Sequence, residues 1–478
     1  MLENHLIARR SKSTMEVPLA TQTKTVPPPT TGGARPADPK VSLRKPVLAG
    51  TVGNFIEQFD YGIYGFLAPY MATSFFPGHD DTAAMLGVYA GFAASFLVRP
   101  FGGIVFGRFG DRLGRRNALA VAIILMGALT TLIGVLPSYA AVGFAATMFL
   151  LVVRLLQGLV QGGEYAGAVA FIVEYADAKR RGFYTSFLSV SVFLGLLCGA
   201  GISALVATFA SDGQMETWGW RIPFLLAMPL TLVGLFLRLR IPETPEFRAL
   251  QEEQRRASEE GAPDQVIASR PVVDALQNQW KPILIFAGFA ITNAVLSYTW
   301  MTFLPGYLQG DDVNMPKAQA LATNFIALAV LLPLLVVSGM VVDRIGRKPM
   351  LLAACISTFV CIPVAFKILL AHTFAAALVA QLIYMIPIMF ISVALTVSMA
   401  EMFPTKVRYS ASAMAYNLGF GIFGGTAPLV ATFLVSATGT IWSVPIYVCA
   451  IASISLVCVA LGFRETRGTV LAADKYHR

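Results

Sequence analysis

A chain of 478 residues that is 56% hydrophobic and only 13% charged, with a mean hydropathy of +0.66, is too apolar for a soluble protein, where charged residues are nearer about a quarter. The net charge of +9 does not point to nucleic acid, because the basic residues sit in short loops between apolar runs and not on one continuous face. The 5 cysteines lie inside apolar segments, are odd in number and form no C-x-x-C pair, and the 4 histidines are scattered; no disulfide framework, metal site or cofactor is expected.

Residues 1–43 precede any apolar run. They hold Arg9, Arg10, Lys12, Lys24 and the tract Pro27-Pro28-Pro29, with no hydrophobic region at signal-peptide distance. A disordered cytoplasmic tail is the expectation. From Arg44 onward the sequence reads as twelve spans, since about 20 apolar residues cross a bilayer core. In the first half, 44–240, these are Pro46–Ala72, Ala83–Phe106, Asn117–Leu136, Val142–Tyr165, Phe183–Thr208 and Ile222–Leu239. A charged connector, 241–280, contains RALQEEQRRASEE and is expected to form a short amphipathic surface helix on the cytoplasmic side. The second half, 281–463, reads Lys281–Leu304, Ala318–Val342, Pro349–Leu370, Phe374–Met399, Ser410–Val435 and Trp442–Phe463, followed by a cytoplasmic tail, 464–478. The predicted class is an all-α membrane protein of two six-helix halves.

One charged turn occurs twice. Gly107, Asp111, Arg112, Gly114, Arg115 and Arg116 form G-x-x-x-D-R-x-G-R-R after the second span, and Gly339, Asp343, Arg344, Gly346, Arg347 and Lys348 repeat it after the eighth. Loops after the even spans also carry Lys179, Arg180, Arg181, Lys406 and Arg408. The opposite loops hold His79, Asp80, Asp81, Asp212, Glu216, Asp311 and Asp312, with Lys317 the main exception. Positive residues stay inside, so both termini are predicted to be cytoplasmic and the chain to be a multi-pass protein of the cell membrane.

The duplicated turn, the six-plus-six pattern and the connector resemble the major facilitator superfamily from about Arg44 to Phe463. GNFIEQFDYGIYGF (Gly53–Phe66), RPFGGIVFGRFGDRLGRR (Arg99–Arg116) and RLLQGLVQGGEYAGAVAFIVEYADAKRRG (Arg154–Gly182) resemble its metabolite:H⁺ symporter family, which includes carriers of α-ketoglutarate, citrate, shikimate, and proline or betaine. Gln58 stands where that family usually has an aromatic residue. The resemblance implies proton-coupled uptake by alternating access, with a small molecule, protons and the lipid bilayer as partners. A monomer is expected, with no nucleic acid partner. No H-E-x-x-H, P-loop or nucleophile-elbow pattern suggests an enzyme.

Ionisable residues at membrane depth are costly and mark function. In the first span Asn54, Glu57, Asp60, Tyr61 and Tyr64 share one face. In the fourth, Arg154, Gln157, Gln161 and Glu164 form another stripe. Opposite charges at similar depth predict an inward-facing cavity in which Arg154 meets a carboxylate. Glu57, Asp60 and Arg154 are the proton-coupling candidates: protonation of the carboxylate would free Arg154 for an anionic substrate. Substrate-binding candidates are Arg154, Tyr64, Gln157, Gln161, Asn293, Trp300 and Asn417; Ser297, Tyr298, Gln381, Tyr384, Ser392 and Tyr416 offer further hydrogen bonds or stacking. Arg99 is read as a turn residue at the cytoplasmic end of the second span, with contact to an anion leaving the cavity as the alternative; Arg154 and Arg99 together favour a carboxylate-bearing solute. Asp111 and Asp343 are expected at the positive ends of the helices that follow them. Glu174 is expected to meet Arg180 and Arg181 as a gate contact. The gating set is Asp111, Arg112, Arg115, Glu164, Glu174, Arg181, Asp343, Arg344 and Arg347. The substrate class is a carboxylate-bearing metabolite, with a zwitterion of the proline or betaine type as the alternative, its cation on Trp300, Tyr298 or Tyr64. An efflux carrier of the same fold is the remaining reading.

Overall fold

The computed structural model describes residues 44–76, 81–240, 242–243, 245–259, 271–310, 312–469 and 471. The tails expected over 1–43 and at the end of the chain lie mainly outside these. Among the described residues every regular element is helical. The first half comprises α1 (Arg44–Phe75), α2 (Asp81–Leu113), α3 (Arg115–Val135), α4 (Phe144–Tyr175), α5 (Arg181–Phe209) and α6 (Asp212–Leu239). The connector carries α7 (Pro245–Glu259) and α8 (Pro271–Asn278). The second half comprises α9 (Trp280–Gln309), α10 (Lys317–Ile345), α11 (Arg347–Leu369), α12 (Phe374–Glu401), α13 (Arg408–Thr438) and α14 (Ser443–Gly462).

Eleven helices among the described residues are apolar and long enough to cross a bilayer. The twelfth is α1, whose 32 residues exceed the required length but whose polar face lowers its hydropathy. Leu97, Phe101, Leu429, Phe433, Ile446 and Leu461 point outward and are each more than 60% exposed, the apolar surface that lipid would cover. The fourth span runs ten residues beyond its predicted end at Tyr165, because Ala166–Val173 are small or apolar and buried against neighbouring helices.

Helix pairs within the first half approach closely. A side chain at Gly102, Gly158 or Gly162 would strike the backbone of the facing helix, so α2 and α4 touch backbone to backbone. That contact lays Arg99 of α2 beside Gln161 of α4. Across the halves, α2 packs on α13 and α10 on α5, each half giving its second helix to the fifth of the other.

The duplicated turn is not a loop. Helix continues through Leu113 and Ile345, and a single glycine breaks each copy, Gly114 at φ 101° and Gly346 at φ 108°, a region that side chains with a Cβ avoid. The next helix starts at Arg115 or Arg347. Its first N–H groups are capped by a carboxylate from the end of the same half: Glu243 accepts from Arg116, and Glu465 accepts from Arg347 and Lys348. Burial pushes the Glu465 carboxyl up, but the N–H donors of Arg347, Lys348 and Arg467 outweigh this and hold it below the ordinary glutamate range.

Asp111 and Asp343 do not serve the helices that follow them. Asp111 accepts from Tyr409 N, Ser410 N and Ser410 Oγ at the start of α13, at 3.2, 2.9 and 2.7 Å. Asp343 accepts from Gly182 N and Phe183 N at the start of α5, both at 2.8 Å. Each carboxylate therefore caps a helix of the opposite half, where the helix dipole and unpaired N–H groups favour it. The arginines complete the crossing. Arg115 reaches Glu174 at 3.5 Å, and Arg408 of the other half reaches the same carboxylate at 2.7 Å. Arg347 reaches Glu401 at 2.9 Å, and Arg181 reaches it from across the halves at 3.2 Å. The expected Glu174–Arg181 contact is thus replaced by two separate networks, because Arg181 turns toward the second half; Arg180, Arg112 and Arg344 are exposed. Glu401, which the sequence reading missed, carries the role that Glu174 has in the first half; carrying the duplication through to the fourth helix of the second half would have found it.

Removing one partner of a buried ion pair costs on the order of 3 kcal/mol, so Glu401→Gln should shift the molecule roughly a hundredfold toward a form parted at this end. Spin-label distances across the charged turns should lengthen; a distribution identical to wild type would show that the network does not hold the halves together. The Glu465 cap, whose folded value lies below the unfolded one, stabilises above the unfolded value and is lost only as pH falls through the folded one. Thermal melts should therefore be insensitive to this group down to about pH 5, and Glu465→Gln should remove part of the acid sensitivity seen below the usual glutamate value of about 4.3.

Candidate functional site

Between the halves lies a cavity of about 980 Å³. It extends from Glu57, Arg99 and Gln161 near mid-membrane to Pro69, Pro305, Gln309 and Ala318, at the end away from the charged turns. The latch end is closed by the networks described above.

Two ion pairs stand one turn apart along α1, and only one faces the cavity. Arg99 Nη2 donates to Glu57 Oε1 at 3.1 Å and to Gln161 Oε1 at 3.0 Å, while Tyr61 Oη donates to the same Gln161 oxygen at 2.6 Å. The guanidinium lies 4.2 Å from the Phe96 ring centroid. Glu57 Oε2 and Arg99 Nε are buried without a hydrogen-bond partner, so the pair is not fully satisfied by its protein neighbours. Tyr61, Tyr64, Phe92, Tyr165, Tyr298, Tyr416 and Phe420 surround it as an aromatic wall.

The second pair is sealed inside the first half. Arg154 Nη1 donates to Asp60 Oδ2 at 2.6 Å, and Asp60 Oδ1 accepts from Thr130 at 3.0 Å and Gln157 at 3.1 Å. Gln157 also accepts from Arg154 at 2.8 Å. Asp60 is 0% and Arg154 1% exposed. Neither lines the cavity. Tyr64 does, and carries the Arg154 guanidinium 3.5 Å from its ring centroid, so one aromatic ring separates the sealed pair from the open one.

The expected substrate set therefore divides. Tyr64, Gln161 and Asn293 are on the cavity wall, with Ser297, Tyr298, Ser392 and Tyr416; Asn293 accepts from Ser392 Oγ at 3.3 Å. Arg154 and Gln157 are withdrawn behind Tyr64. Trp300 lies in the π-helical turn Thr299–Phe303 and is 0% exposed in the core of the second half, while its neighbours Met301 and Thr302 line the cavity. Asn417 faces α4, its amide donating to the carbonyl of Gly162, and ties the halves together. Gln381 hydrogen-bonds Thr323 and Asn324, and Tyr384 is fully buried; neither lines the cavity. Glu57 faces Arg99 and not Arg154. Glu164 is buried one turn closer to the latch, with no hydrogen-bond partner on either oxygen.

Arg99 is the cavity cation, the alternative that the sequence reading set behind a turn role at the end of the second span. Pro100 suggested a helix end, but it lies inside the 33-residue α2, and Arg99 falls near its middle. Proline is tolerated in membrane helices, where neighbours satisfy the freed carbonyl. The usable signal was distance: a full set of spanning residues surrounds Arg99 on both sides.

The chain matches the Major Facilitator Superfamily family model over residues 50–425. It is 38% identical over 401 residues to the ectoine/proline transporter ProP of Corynebacterium glutamicum, covering 83% of this chain and 79% of the relative. It is 33% identical over 418 residues to the proline/betaine transporter of Escherichia coli K12, covering 87% and 82%. Its fold matches that of the proton:xylose symporter XylE from E. coli, solved bound to 6-bromo-6-deoxy-D-glucose, with a TM-score of 0.76 at 19% identity over 90% of this chain and 97% of that one. Twelve spans in two halves, a cavity between them and these matches together place the chain in the major facilitator superfamily as a multi-pass membrane transporter.

Proposed function

We propose that this protein takes up a small zwitterionic carboxylate together with protons, moving it across the plasma membrane into the cytoplasm by alternating access. The Arg99–Glu57 pair on the cavity wall carries this reading. A compact solute with a carboxylate and a cationic nitrogen suits a cavity wall that carries a guanidinium and a carboxylate side by side. The rings of Tyr61, Tyr298 and Tyr416 suit the cation, quaternary or not. The relatives named for ectoine, proline and betaine support the same class. The carboxylate-bearing substrate expected from the sequence thus narrows to a zwitterion.

Asp60 with Arg154 supplies the coupling. The ionised carboxylate holds Arg154 and, through it, α1 against α4. Protonation takes away the arginine's partner, and a lone buried cation is unfavourable, so the helix contact rearranges. Tyr64 touches both compartments and transmits whether the cavity is filled. Glu57 lies one turn away on the same face of α1 and completes the proton-coupling set. Basic loops put the latch end in the cytoplasm, together with the start of α1 and the end of α14. The closed latch and the cavity at the opposite end then make this the outward-facing form. One chain holds a whole cavity, so a monomer suffices.

Uptake of labelled proline, betaine, ectoine, α-ketoglutarate and shikimate into proteoliposomes, with the proton gradient directed inward, tests the reading. Protonophore-sensitive accumulation of a zwitterion is expected. Accumulation of an organic acid alone moves the substrate to the anionic class, and extrusion of a loaded compound makes the protein an efflux carrier. Glu57→Gln, read by exchange of labelled for unlabelled solute, which needs no net proton release, separates the first two: losing an ionic contact worth roughly 1.5–3 kcal/mol should raise the KM for a zwitterion about 10- to 100-fold, whereas an anion should bind as well or better. Asp60→Asn should abolish uphill uptake while solute exchange continues. Full pH-driven accumulation by that variant would remove Asp60 from coupling.

A further inference from the structure

Below the two ion pairs is a third charged group that neither binding nor the latch uses. Glu164 on α4 is 1% exposed, and both carboxylate oxygens lack a hydrogen-bond partner. It stands against α1 at Gly53, one turn toward the latch from Glu57; any Cβ at Gly53 would strike the Glu164 carboxylate. Arg238 on α6 is 0% exposed, its three guanidinium nitrogens lack hydrogen bonds, and it lies 3.9 Å from the Phe171 ring centroid. Glu57 and Arg238 both act on Glu164 through space. On the latch side, Tyr409 of α13 is buried with an unbonded hydroxyl, and its own N–H is held by Asp111. Glu164 and Arg238 act on Tyr409 as well.

A gate contact needs a partner across the halves, and Glu164 has none by hydrogen bond. Its surroundings instead form a descending series. Asp60 and Glu57 lie one turn apart on α1, Glu164 one turn lower, and the Tyr409–Asp111 contact lower still. We infer that Glu164 is the inner station of the proton path, taking the coupled proton from Glu57 and releasing it to the latch side. In this step the O–H bond of protonated Glu57 breaks and one forms on Glu164, leaving Glu57 as carboxylate beside Arg99. When the latch opens, Glu164 gives the proton to solvent, and Arg238 balances the charge that returns. A carboxylate without hydrogen bonds suits transient occupancy, because no fixed donor holds the ionised form.

The inference rests on the proton-coupled reading, and the experiment keeps the two apart. Wild type, Glu164→Gln, Glu164→Asp and the double variant Glu164→Gln/Arg238→Gln are reconstituted and compared for pH-driven accumulation, uptake-linked alkalinisation of the medium, and exchange of labelled for unlabelled solute. Exchange needs no net proton release. Glu164→Gln should lose accumulation and alkalinisation at least tenfold while exchange stays within about twofold, and Glu164→Asp should recover accumulation. The double variant tests whether Glu164 merely balances Arg238. It should exchange but not accumulate, and it carries the test where the single variant does not fold. Accumulation restored in the double variant, or retained in Glu164→Gln, overturns the relay and leaves the coupled reading standing. Loss of exchange together with accumulation in a folded Glu164→Gln protein also overturns it, in favour of a positioning role. A wild type without pH-driven accumulation overturns both.

Discussion

A carboxylate buried among apolar helices must find an opposite charge or take up a proton, and this constraint arranges the first half of the molecule. Asp60 and Glu57 are carried on one face of α1 and need cations at the same depth. Arg154 of α4 and Arg99 of α2 meet them. Because the two arginines come from different helices, the two pairs face different ways. One is enclosed by Thr130, Gln157 and Tyr64; the other looks into the cavity. A single helix face thereby serves two environments, and the ring of Tyr64 is the wall between them.

The same constraint closes one end. Glu174 and Glu401 each hold two arginines, one from either half, and Asp111 and Asp343 each sit on a helix end of the opposite half. Arg408 on Glu174, Arg181 on Glu401 and both aspartate caps cross from one bundle to the other, so these contacts form or break as a set. Their worth is conformational: a buried ion pair adds little to folding once desolvation is counted, but breaking one is expensive. Duplicating the turn makes the two sides of the clamp alike, which favours rocking of one half on the other over local opening. The glycine breaks at Gly114 and Gly346 bring each aspartate and the arginine four residues on into the same network, as a longer loop would not.

Much of this was legible in the residues. Runs of membrane length gave twelve spans, Pro46–Ala72 among them, and eleven of the helices are strongly apolar while α1 is less so. The repeat of Gly107–Arg116 at Gly339–Lys348 gave the two halves, and charge at membrane depth singled out Glu57, Asp60 and Arg154. What was misread shares a cause. Arg99 was set at a helix end by its neighbour Pro100, Trp300 was given to the cavity although it is buried in the core of the second half, and the latch aspartates were assigned to the nearest helix in sequence.

The sequence by itself determined the fold class, the spans, the duplication and the side on which basic residues gather, because periodicity and transfer free energy act along the chain and need no knowledge of neighbours. Only the tertiary structure decided which arginine each carboxylate takes, which face of α1 meets the cavity, and which helix end each latch aspartate caps. Those choices depend on helix rotation and on backbone approach at Gly102, Gly158 and Gly162. Electrostatic pairing falls off over a few ångströms in space, and separation along the sequence does not report it.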